Sequence, residues 1–288
     1  MKIDGDLKFN EKLFYTLDHN RAQRYSVSDW LFPGGEVGVN INTGSLDWSK
    51  HQAKEVRIVT LVARVQSSDD LVALLSAKDA LSRVYTLAEI ELILPYIPYA
   101  RQDRVCVPGE ALGARVFADI INGAGFTRVT SLDPHSPTVA ALITGCNFLG
   151  QAQVFKSVKQ DWHKWTIVAP DMGASKKCED FAREVGAKGV LYFDKVRDLE
   201  TGKIKQIKLL GEKPTFERLF VLDDICDGGR TFLGMVPRLY GNHVELAVSH
   251  GIFSAGTEIL TDVFDHVYTT DSWNPYLESS EKLTVIKV

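Results

Sequence analysis

Residues 219–232, LFVLDDICDGGRTF, join an apolar strand to two acids, a glycine turn and a helix. Asp223 and Asp224 end the apolar run, and ligands of open parallel sheets bind at that end. The turn exposes backbone N–H groups at a helix N-terminus, which carries about half a positive charge. We therefore predict a phosphate site whose acids bind sugar hydroxyls or Mg²⁺. Ordinary strand termination with helix capping gives the same pattern and stays open as the alternative.

Lys195 and Arg197 are two cations two residues apart in the segment FDKVRD. In an extended segment such residues project to the same side, where two donors can clamp a phosphate. A solvated turn is the other interpretation. His135 in SLDPHSP and Asp171 in APDMG follow apolar runs. By itself, a histidine at a strand end is more often a structural hydrogen-bonding residue.

Alternating strand and helix patterns predict how these residues are positioned. Strand and helix patterns alternate through the segments EVRIVTLVA, SSDDLVALLSAKDALSRVY, AEIELILPYIP, PGEALGARVFADIINGAG and TRVTSLD. The same alternation begins again at TIVAPD. It continues through a helix from Thr231 to Tyr240. We predict an α/β protein of two domains, 1–148 and 149–288, each with a mainly parallel central sheet flanked by helices. Lysines alternating with apolar residues over 203–213 predict an exposed edge strand.

Composition narrows the class of function. The chain is 45% hydrophobic and 24% charged, which is typical of a globular protein. Its net charge of −4 offers no general attraction for nucleic acid, so small phosphorylated ligands are favoured. Four scattered cysteines argue against a disulfide framework or a structural zinc site. We find no signal-peptide core and no run near the ~20 apolar residues of a membrane span, and expect a soluble cytoplasmic protein.

Several blocks along nearly the whole chain resemble the ribose-phosphate diphosphokinase (phosphoribosyl-diphosphate synthetase) family. The loop at 223–231 resembles a sugar-phosphate loop, D-D-x-x-D-T-G/A-G-T, which that family shares with type I phosphoribosyltransferases. Three further blocks are similar to the diphosphokinases and not to the transferases, namely IPYARQDR, PGEALGARVFADII and VTSLDPHSP. The resemblance implies two phosphoribosyltransferase-like domains. It also implies Mg²⁺-dependent transfer of the β,γ-diphosphoryl group of ATP to the C1 hydroxyl of ribose 5-phosphate. The PGEAL segment and the length look more like the shorter, archaeal-type members.

The resemblance assigns a role to each matching residue. The implied catalytic residues are Lys195, Arg197 and His135. The implied ATP-binding residues are Phe32, Glu36, Arg101, Gln102, Asp103 and Arg104. The implied ribose-phosphate residues are Asp223, Asp224, Asp227, Gly228, Gly229, Arg230 and Thr231. The implied Mg²⁺ ligands are His135, Asp171, Asp223 and Asp224. In the family, the segment with the matching phenylalanine and glutamate comes from a neighbouring subunit, which implies a homo-oligomer with a shared adenine site.

The chain departs from the family pattern in three segments. Glycine replaces the aspartate of the adenine segment, which predicts altered or looser base selection. Val196 stands between the two cations, where the family usually has arginine. Residues 227–231 read DGGRT in place of D-T-G-G-T, which removes a hydroxyl and adds a fork-shaped cation. This last change leaves ADP-ribose, with its larger group on the 5-phosphate, open as an alternative acceptor for the synthesis of NAD.

Two rival functions use the same fold. A phosphoribosyltransferase would share the sugar-phosphate loop but would have no use for Lys195 with Arg197, or for the YARQDR run. A non-catalytic relative of the synthetases would keep the fold and lose catalytic positions. Because the chain retains all of those positions, we predict an active enzyme.

Overall fold

A computed structural model describes residues 11–17, 20–43, 56–197, 204–212, 217–239 and 242–288. At 20–22, 195–197 and 204–206 it describes the backbone alone. The chain divides into two compact units, Met1–Phe148 and Leu149–Val288. The boundary lies between the same two residues as in the sequence analysis. Each unit is an α/β layer structure built on one sheet of seven strands.

The first sheet combines an antiparallel edge with a parallel centre. Its strands are β1 (Leu13–Leu17), β2 (Asn20–Leu31), β3 (Val37–Ile41), β4 (Ile58–Ala63), β5 (Glu89–Ile93), β6 (Arg128–Leu132) and β7 (Cys146–Leu149). Their order is β3-β2-β1-β4-β5-β6-β7. Strands β1 to β3 pair antiparallel, and β1 also pairs antiparallel with β4. Strands β4, β5 and β6 are parallel, so their carboxyl ends lie at one edge.

Among the described residues, three helices accompany this sheet. They are α1 (Ser68–Val84), α2 (Gly113–Gly123) and α3 (Pro137–Leu142). A capping box starts α1, because Ser67 Oγ accepts from the Asp70 N–H while the Asp70 carboxylate accepts from the Ser67 N–H. Buried residues recur at helical spacing in α1 and α2 and pack with β4 and β5 into one core. That core fixes the strand ends from which the candidate ATP segments continue.

The second sheet is parallel except at one edge. Its strands are β8 (Trp165–Ala169), β9 (Gly189–Arg197), β10 (Ile204–Leu210), β11 (Arg218–Cys226), β12 (His243–Gly251), β13 (His266–Thr270) and β14 (Leu283–Ile286). Their order is β10-β9-β8-β11-β12-β13-β14. Of the strands described in this unit, only β10 runs antiparallel to its neighbour, β9. Strand β11 is central, paired in parallel with β8 and β12, which explains its almost continuous apolar sequence.

The described helices of the second unit are α4 (Gln151–Phe155), α5 (Ser175–Val185), α6 (Arg230–Leu239) and α7 (Glu258–Thr261). Two 3₁₀ turns lie at Lys156–Val158 and Trp162–Lys164. Phe220 of β11 stacks on Phe181 of α5, with 6.2 Å between ring centroids. Trp162 packs edge-on against Phe220 at 4.9 Å. These rings hold α5 against the sheet and thereby place its first turn near the carboxyl ends of β8 and β11.

The predicted α/β architecture is confirmed, and every strand predicted from residue 56 onward is present. Several details differ. Helix α2 starts at Gly113, after the PGEAL residues, and α6 runs from Arg230 to Leu239, while Tyr240 lies outside the described residues. The meander of β1, β2 and β3 was not predicted, and neither were strands β7, β13 and β14. Strand β10 is an edge strand as expected, although Lys203 and Lys213 are not described. None of the helices in the described ranges is long and apolar enough to cross a membrane.

Candidate active site

The predicted sugar-phosphate loop connects the carboxyl end of β11 to the N-terminus of α6. Asp223 is half-buried and Asp224 is buried, whereas Asp227 and Arg230 are exposed. Gly229 has φ +70°, and a Cβ there would lie 3.2 Å from Ile259 Cδ1 and 3.3 Å from Leu260 Cδ2. Glycine is therefore required by both the backbone conformation and the close approach. This turn presents backbone N–H groups at the start of a helix of ten residues, a geometry that suits an anion.

The base of the loop is held by the segment that follows β12. The Cys226 carbonyl accepts from the Ile252 N–H at 2.8 Å and from the Phe253 N–H at 3.1 Å. Burial, and next the charge of Asp223, raise the pKa of the Cys226 thiol to about 12. The thiol therefore stays protonated at neutral pH and is a packing group rather than a nucleophile.

Lys177 on the first turn of α5 was not among the predicted site residues. Its Nζ lies 3.2 Å from Asp224 Oδ2 and donates a hydrogen bond to it. Asp223 Oδ1 accepts from the Asp224 backbone N–H at 2.9 Å. The two adjacent acids are thus held in different ways. The segment after β8 and the end of β11 are brought into direct contact.

Asp171 lies between β8 and α5, at the same edge of the sheet as Asp223. Its Oδ1 accepts from the Ala174 N–H at 3.0 Å, and its carbonyl accepts from Ser175 Oγ at 3.3 Å. Asp171 therefore organises the turn that starts α5. Its role as a metal ligand remains a prediction.

Lys195 and Arg197 lie in the last part of β9, whose backbone pairs with β10. Lys195 is opposite Ile207 and Arg197 is opposite Ile204, with an irregularity in register between these two pairs. The backbone here is a strand, in agreement with the extended segment that the sequence analysis predicts. The side chains of Lys195 and Arg197 lie outside the described residues, so the predicted clamp stays a prediction.

Two predicted ATP segments follow neighbouring strands of the first unit. Arg101, Gln102, Asp103 and Arg104 come after β5, and His135 comes after β6. The Leu132 N–H donates to the Pro95 carbonyl at 3.0 Å, and Ser131 Oγ donates to the same oxygen at 3.3 Å. These bonds join the segments that leave β5 and β6. The structure thereby brings the arginine run and the histidine to one edge of the sheet.

The side chains of these segments differ in exposure. Arg104 is 81% exposed and lies 3.8 Å from a carboxylate oxygen of Asp103, which is 17% exposed. His135 is half-buried. It follows Asp133, which is buried and has φ +35°, an uncommon conformation for a residue other than glycine. A strained residue two positions before a candidate ligand is a feature found at functional sites.

Phe32 and Glu36 form the turn between β2 and β3. The Phe32 N–H donates to the Glu36 carbonyl, and the Gly35 N–H donates to the Phe32 carbonyl, both at 2.8 Å. The Phe32 ring is 44% exposed and packs edge-on against Trp30 at 5.8 Å. Strands β1 and β4 separate this hairpin from the strand that leads to the arginine run. The hairpin therefore ends in an exposed aromatic residue, and in the order of the strands it is not adjacent to the other predicted ATP residues.

The predicted metal ligands are distributed over both units, with His135 in the first and Asp171, Asp223 and Asp224 in the second. Within the described ranges, no group of three or more histidine, cysteine or acidic residues is arranged to hold a metal ion. Mg²⁺ in phosphoryl-transfer enzymes is usually held by one or two carboxylates together with water and substrate phosphates. The oxygen donors at the ends of β8 and β11 fit such an ion, and a dedicated protein cage is not required.

Comparison with known proteins points to one enzyme family. Residues 19–125 match the model of the N-terminal domain of ribose phosphate pyrophosphokinase. The ribose-phosphate pyrophosphokinase of Mycoplasmopsis pulmonis is 28% identical over 280 residues, covering 94% of this chain and 84% of the relative. A Streptomyces coelicolor protein assigned to the same enzyme is 30% identical, covering 79% and 73% respectively. The fold matches phosphoribosylpyrophosphate synthetase from Mycobacterium smegmatis with a TM-score of 0.74 and 24% identity, over 91% of this chain and 86% of that one.

Proposed function

This chain belongs to the ribose-phosphate pyrophosphokinase family, and we propose that it transfers the β,γ-diphosphoryl group of ATP to the C1 hydroxyl of ribose 5-phosphate. The products are phosphoribosyl diphosphate and AMP. The main support is that the resemblance to these enzymes extends along 94% of the chain. The diacid, glycine turn and helix N-terminus at 223–231 are the part of the second unit best suited to a sugar phosphate.

The second unit supplies the groups that bind the sugar phosphate. The backbone N–H groups of Gly228, Gly229 and Thr231 surround the N-terminus of α6, where an anion is favoured by the helix dipole. Arg230 is exposed beside them and can add two parallel N–H donors to a phosphate oxygen pair. Asp223 and Asp224 accept hydrogen bonds from the ribose hydroxyls, and Asp227 extends this acidic edge.

The first unit supplies the groups that bind the nucleotide. Arg101 and Arg104 carry the positive charge of a segment that follows β5, and Gln102 and Asp103 offer hydrogen-bonding groups beside them. His135 leaves the neighbouring strand at the same edge of the sheet. Phe32 offers an exposed ring for stacking against adenine, and Glu36 lies at the base of the same turn.

Transfer of a diphosphoryl group requires the attacking oxygen in line with the leaving AMP oxygen, together with positive charge around the transferring phosphate. We assign that charge to Lys195 and Arg197 on β9. Their spacing of two residues is the one at which an extended segment presents side chains on a common side. His135 is assigned as the third catalytic residue, in contact with the triphosphate.

Kinase-type transfer generally uses Mg²⁺, which neutralises charge that develops on the phosphate oxygens when it is bound. We propose Asp171 and Asp223 as the residues of the second unit that would hold it, and His135 stays the predicted ligand in the first unit. Asp224 was also predicted as a ligand, but its carboxylate is paired with Lys177 and is better assigned to the sugar. Asp171 and Asp223 offer oxygen donors, the kind that Mg²⁺ prefers.

Two alternatives from the sequence are weaker. ADP-ribose as the acceptor is not favoured, since the related proteins are named for ribose phosphate. A non-catalytic role would require the loss of catalytic positions, and the chain retains them. Initial rates of AMP release from ATP with each acceptor test the choice. We expect turnover with ribose 5-phosphate to exceed turnover with ADP-ribose, and AMP release with neither acceptor would favour the regulatory role.

We further propose that the chain works as a homo-oligomer in which the hairpin tip at Phe32 and Glu36 serves the nucleotide of a neighbouring subunit. The exposed Phe32 ring and the position of the hairpin at the edge of its sheet support this assignment. Mixing an inactive Phe32→Ala, Glu36→Ala variant with an inactive His135→Ala variant tests it. A shared site predicts that the mixture regains activity, whereas a site within one subunit predicts none.

A further inference from the structure

Lys177 occupies an unfavourable position for its charge unless it has a specific partner. It lies in the first turn of α5, which starts at Ser175 and contains no acidic residue in that turn. The N-terminus of a helix carries partial positive charge, so a cation there is disfavoured. A lysine in this place therefore needs a compensating anion, and the structure provides one in the carboxylate of Asp224.

Asp224 needs this lysine for a complementary reason. Its side chain is 9% exposed, whereas that of Lys177 is 27% exposed. A carboxylate this far from water is strongly disfavoured unless a partner compensates its charge and fixes its hydrogen bonds. The ammonium, at 3.2 Å, provides both a positive charge and a donor. One carboxylate oxygen of Asp224 is therefore directed at Lys177.

We propose that Lys177 is a positioning residue of the sugar-phosphate site. Its ammonium is the cation paired with Asp224 and orients that carboxylate to accept a hydrogen bond from a sugar hydroxyl. The same ammonium occupies the position in which a divalent ion would otherwise contact Asp224. Asp223, whose Oδ1 accepts from the Asp224 N–H, then carries the metal-binding role of this acidic pair without Asp224. This inference rests on the proposed function, because it needs a ribose 5-phosphate site at the loop.

The binding of the two substrates should respond differently to the loss of Lys177. Lys177 acts through Asp224, so its loss should weaken the binding of ribose 5-phosphate and leave the KM for ATP nearly unchanged. The loss of a hydrogen bond to a charged group corresponds to about a 10- to 100-fold change in affinity. A purely structural role for the pair would instead lower the melting temperature and the amount of active enzyme without changing the affinity of the remaining sites.

The test compares Lys177→Met, Lys177→Gln and Lys177→Arg with the unchanged chain. The Met variant leaves the buried Asp224 carboxylate without this donor and can destabilise the unit. The Gln variant keeps an uncharged N–H donor for that carboxylate, so we expect it to fold. The matched control is Lys176→Met, which removes an equal charge from the same helical turn at an exposed neighbouring position. Binding of ribose 5-phosphate is measured by calorimetry without ATP, with and without MgCl₂, and melting temperatures are recorded in parallel.

We expect the Met and Gln variants to bind ribose 5-phosphate about 10- to 100-fold more weakly, Lys177→Arg to recover most of that loss, and Lys176→Met to bind like the unchanged chain. Equal affinity in the unchanged chain and the folded Gln variant would overturn the inference and leave the proposed function intact. Absence of binding and of turnover in the unchanged chain itself would overturn the proposed function, and the inference with it.

Discussion

The backbone N–H of Leu132 donates to the carbonyl of Pro95 over 3.0 Å and so joins the segments that continue from β5 and β6. The arginine run starts six residues beyond Pro95, and His135 lies three residues beyond Leu132. Because both segments leave parallel strands at the same edge, a short chain path brings two chemically different groups to that edge. This relationship gives the nucleotide assignment its structural basis.

Replacing His135 by alanine should therefore impair the nucleotide half of the reaction selectively. We expect kcat/KM for ATP to fall by about 10²-fold or more, the usual effect of losing one group that stabilises a transition state. Calorimetric affinity for ribose 5-phosphate, measured without ATP, should not change. The matched control is His163→Ala, which removes an exposed histidine from a 3₁₀ turn in the other unit. Equal activity in the His135 and His163 variants would contradict this role.

Gly229→Ala should destabilise the second unit and the sugar-phosphate loop together. The substitution combines a φ of +70° with a Cβ only 3.2 Å from Ile259 Cδ1. The expected loss in the free energy of unfolding is about 1–3 kcal/mol, measured by urea denaturation. Gly228→Ala is the control, since its Cβ would meet only Ser254 Oγ, at 3.6 Å. A loss of equal size in both variants would show that the conformation at Gly229 is not the cause.

The Cys226 thiol should make stability fall in alkaline solution. Burial raises its pKa from 9.0 to about 12 in the folded chain. Below the unfolded value the thiol is protonated in both states. Between the two values only the unfolded chain loses the proton, so the free energy of unfolding decreases as pH rises. This one group contributes at most about 1.4 kcal/mol per pH unit. Denaturation curves of Cys226→Ala should depend less on pH above 9.0 than those of the unchanged chain. If the stability of both proteins changed equally with pH, the Cys226 thiol would not be the cause of the alkaline loss.

Lys195→Ala should lower kcat by about 10²–10³-fold with little change in the affinity for ribose 5-phosphate, because its charge is assigned to the transition state rather than to substrate binding. The control is Lys208→Ala, an exposed lysine on the partner strand β10. It removes a similar charge from the same hairpin. Single-turnover measurements at saturating substrates separate the chemical step from product release. Retention of full kcat in the Lys195 variant would remove the residue from the mechanism.

Most of the strands and helices between residues 56 and 251 were accessible from sequence because their signals are local. Apolar strands such as LFVLDD and helices with regular apolar spacing differ clearly in period. The first three strands were missed for a physical reason. Strand β2, NRAQRYSVSDWL, is long, polar and near the edge of its sheet, so half-burial leaves no strong apolar pattern. Its pairing depends on β1 and β3 rather than on its own composition.

The site could be predicted only in part. Acids and glycines at 223–231 are adjacent in sequence, and their arrangement follows from the strand, turn and helix that they connect. Lys177 was missed because its partner, Asp224, is 47 residues away and the contact depends on the packing of α5 against β11. Composition and spacing carry no signal for such a pair. The poor fit of a lysine to the first turn of a helix was the one available hint.

The central claim is that the chain moves an intact diphosphoryl group from ATP to C1 of ribose 5-phosphate. Phosphorus NMR of a reaction containing ATP, ribose 5-phosphate and MgCl₂ tests it directly. We predict AMP and a sugar bearing both a 5-phosphate and a C1 diphosphate, formed in equal amounts. Formation of ADP or free orthophosphate in their place, or no sugar diphosphate despite consumption of ATP, would contradict the account.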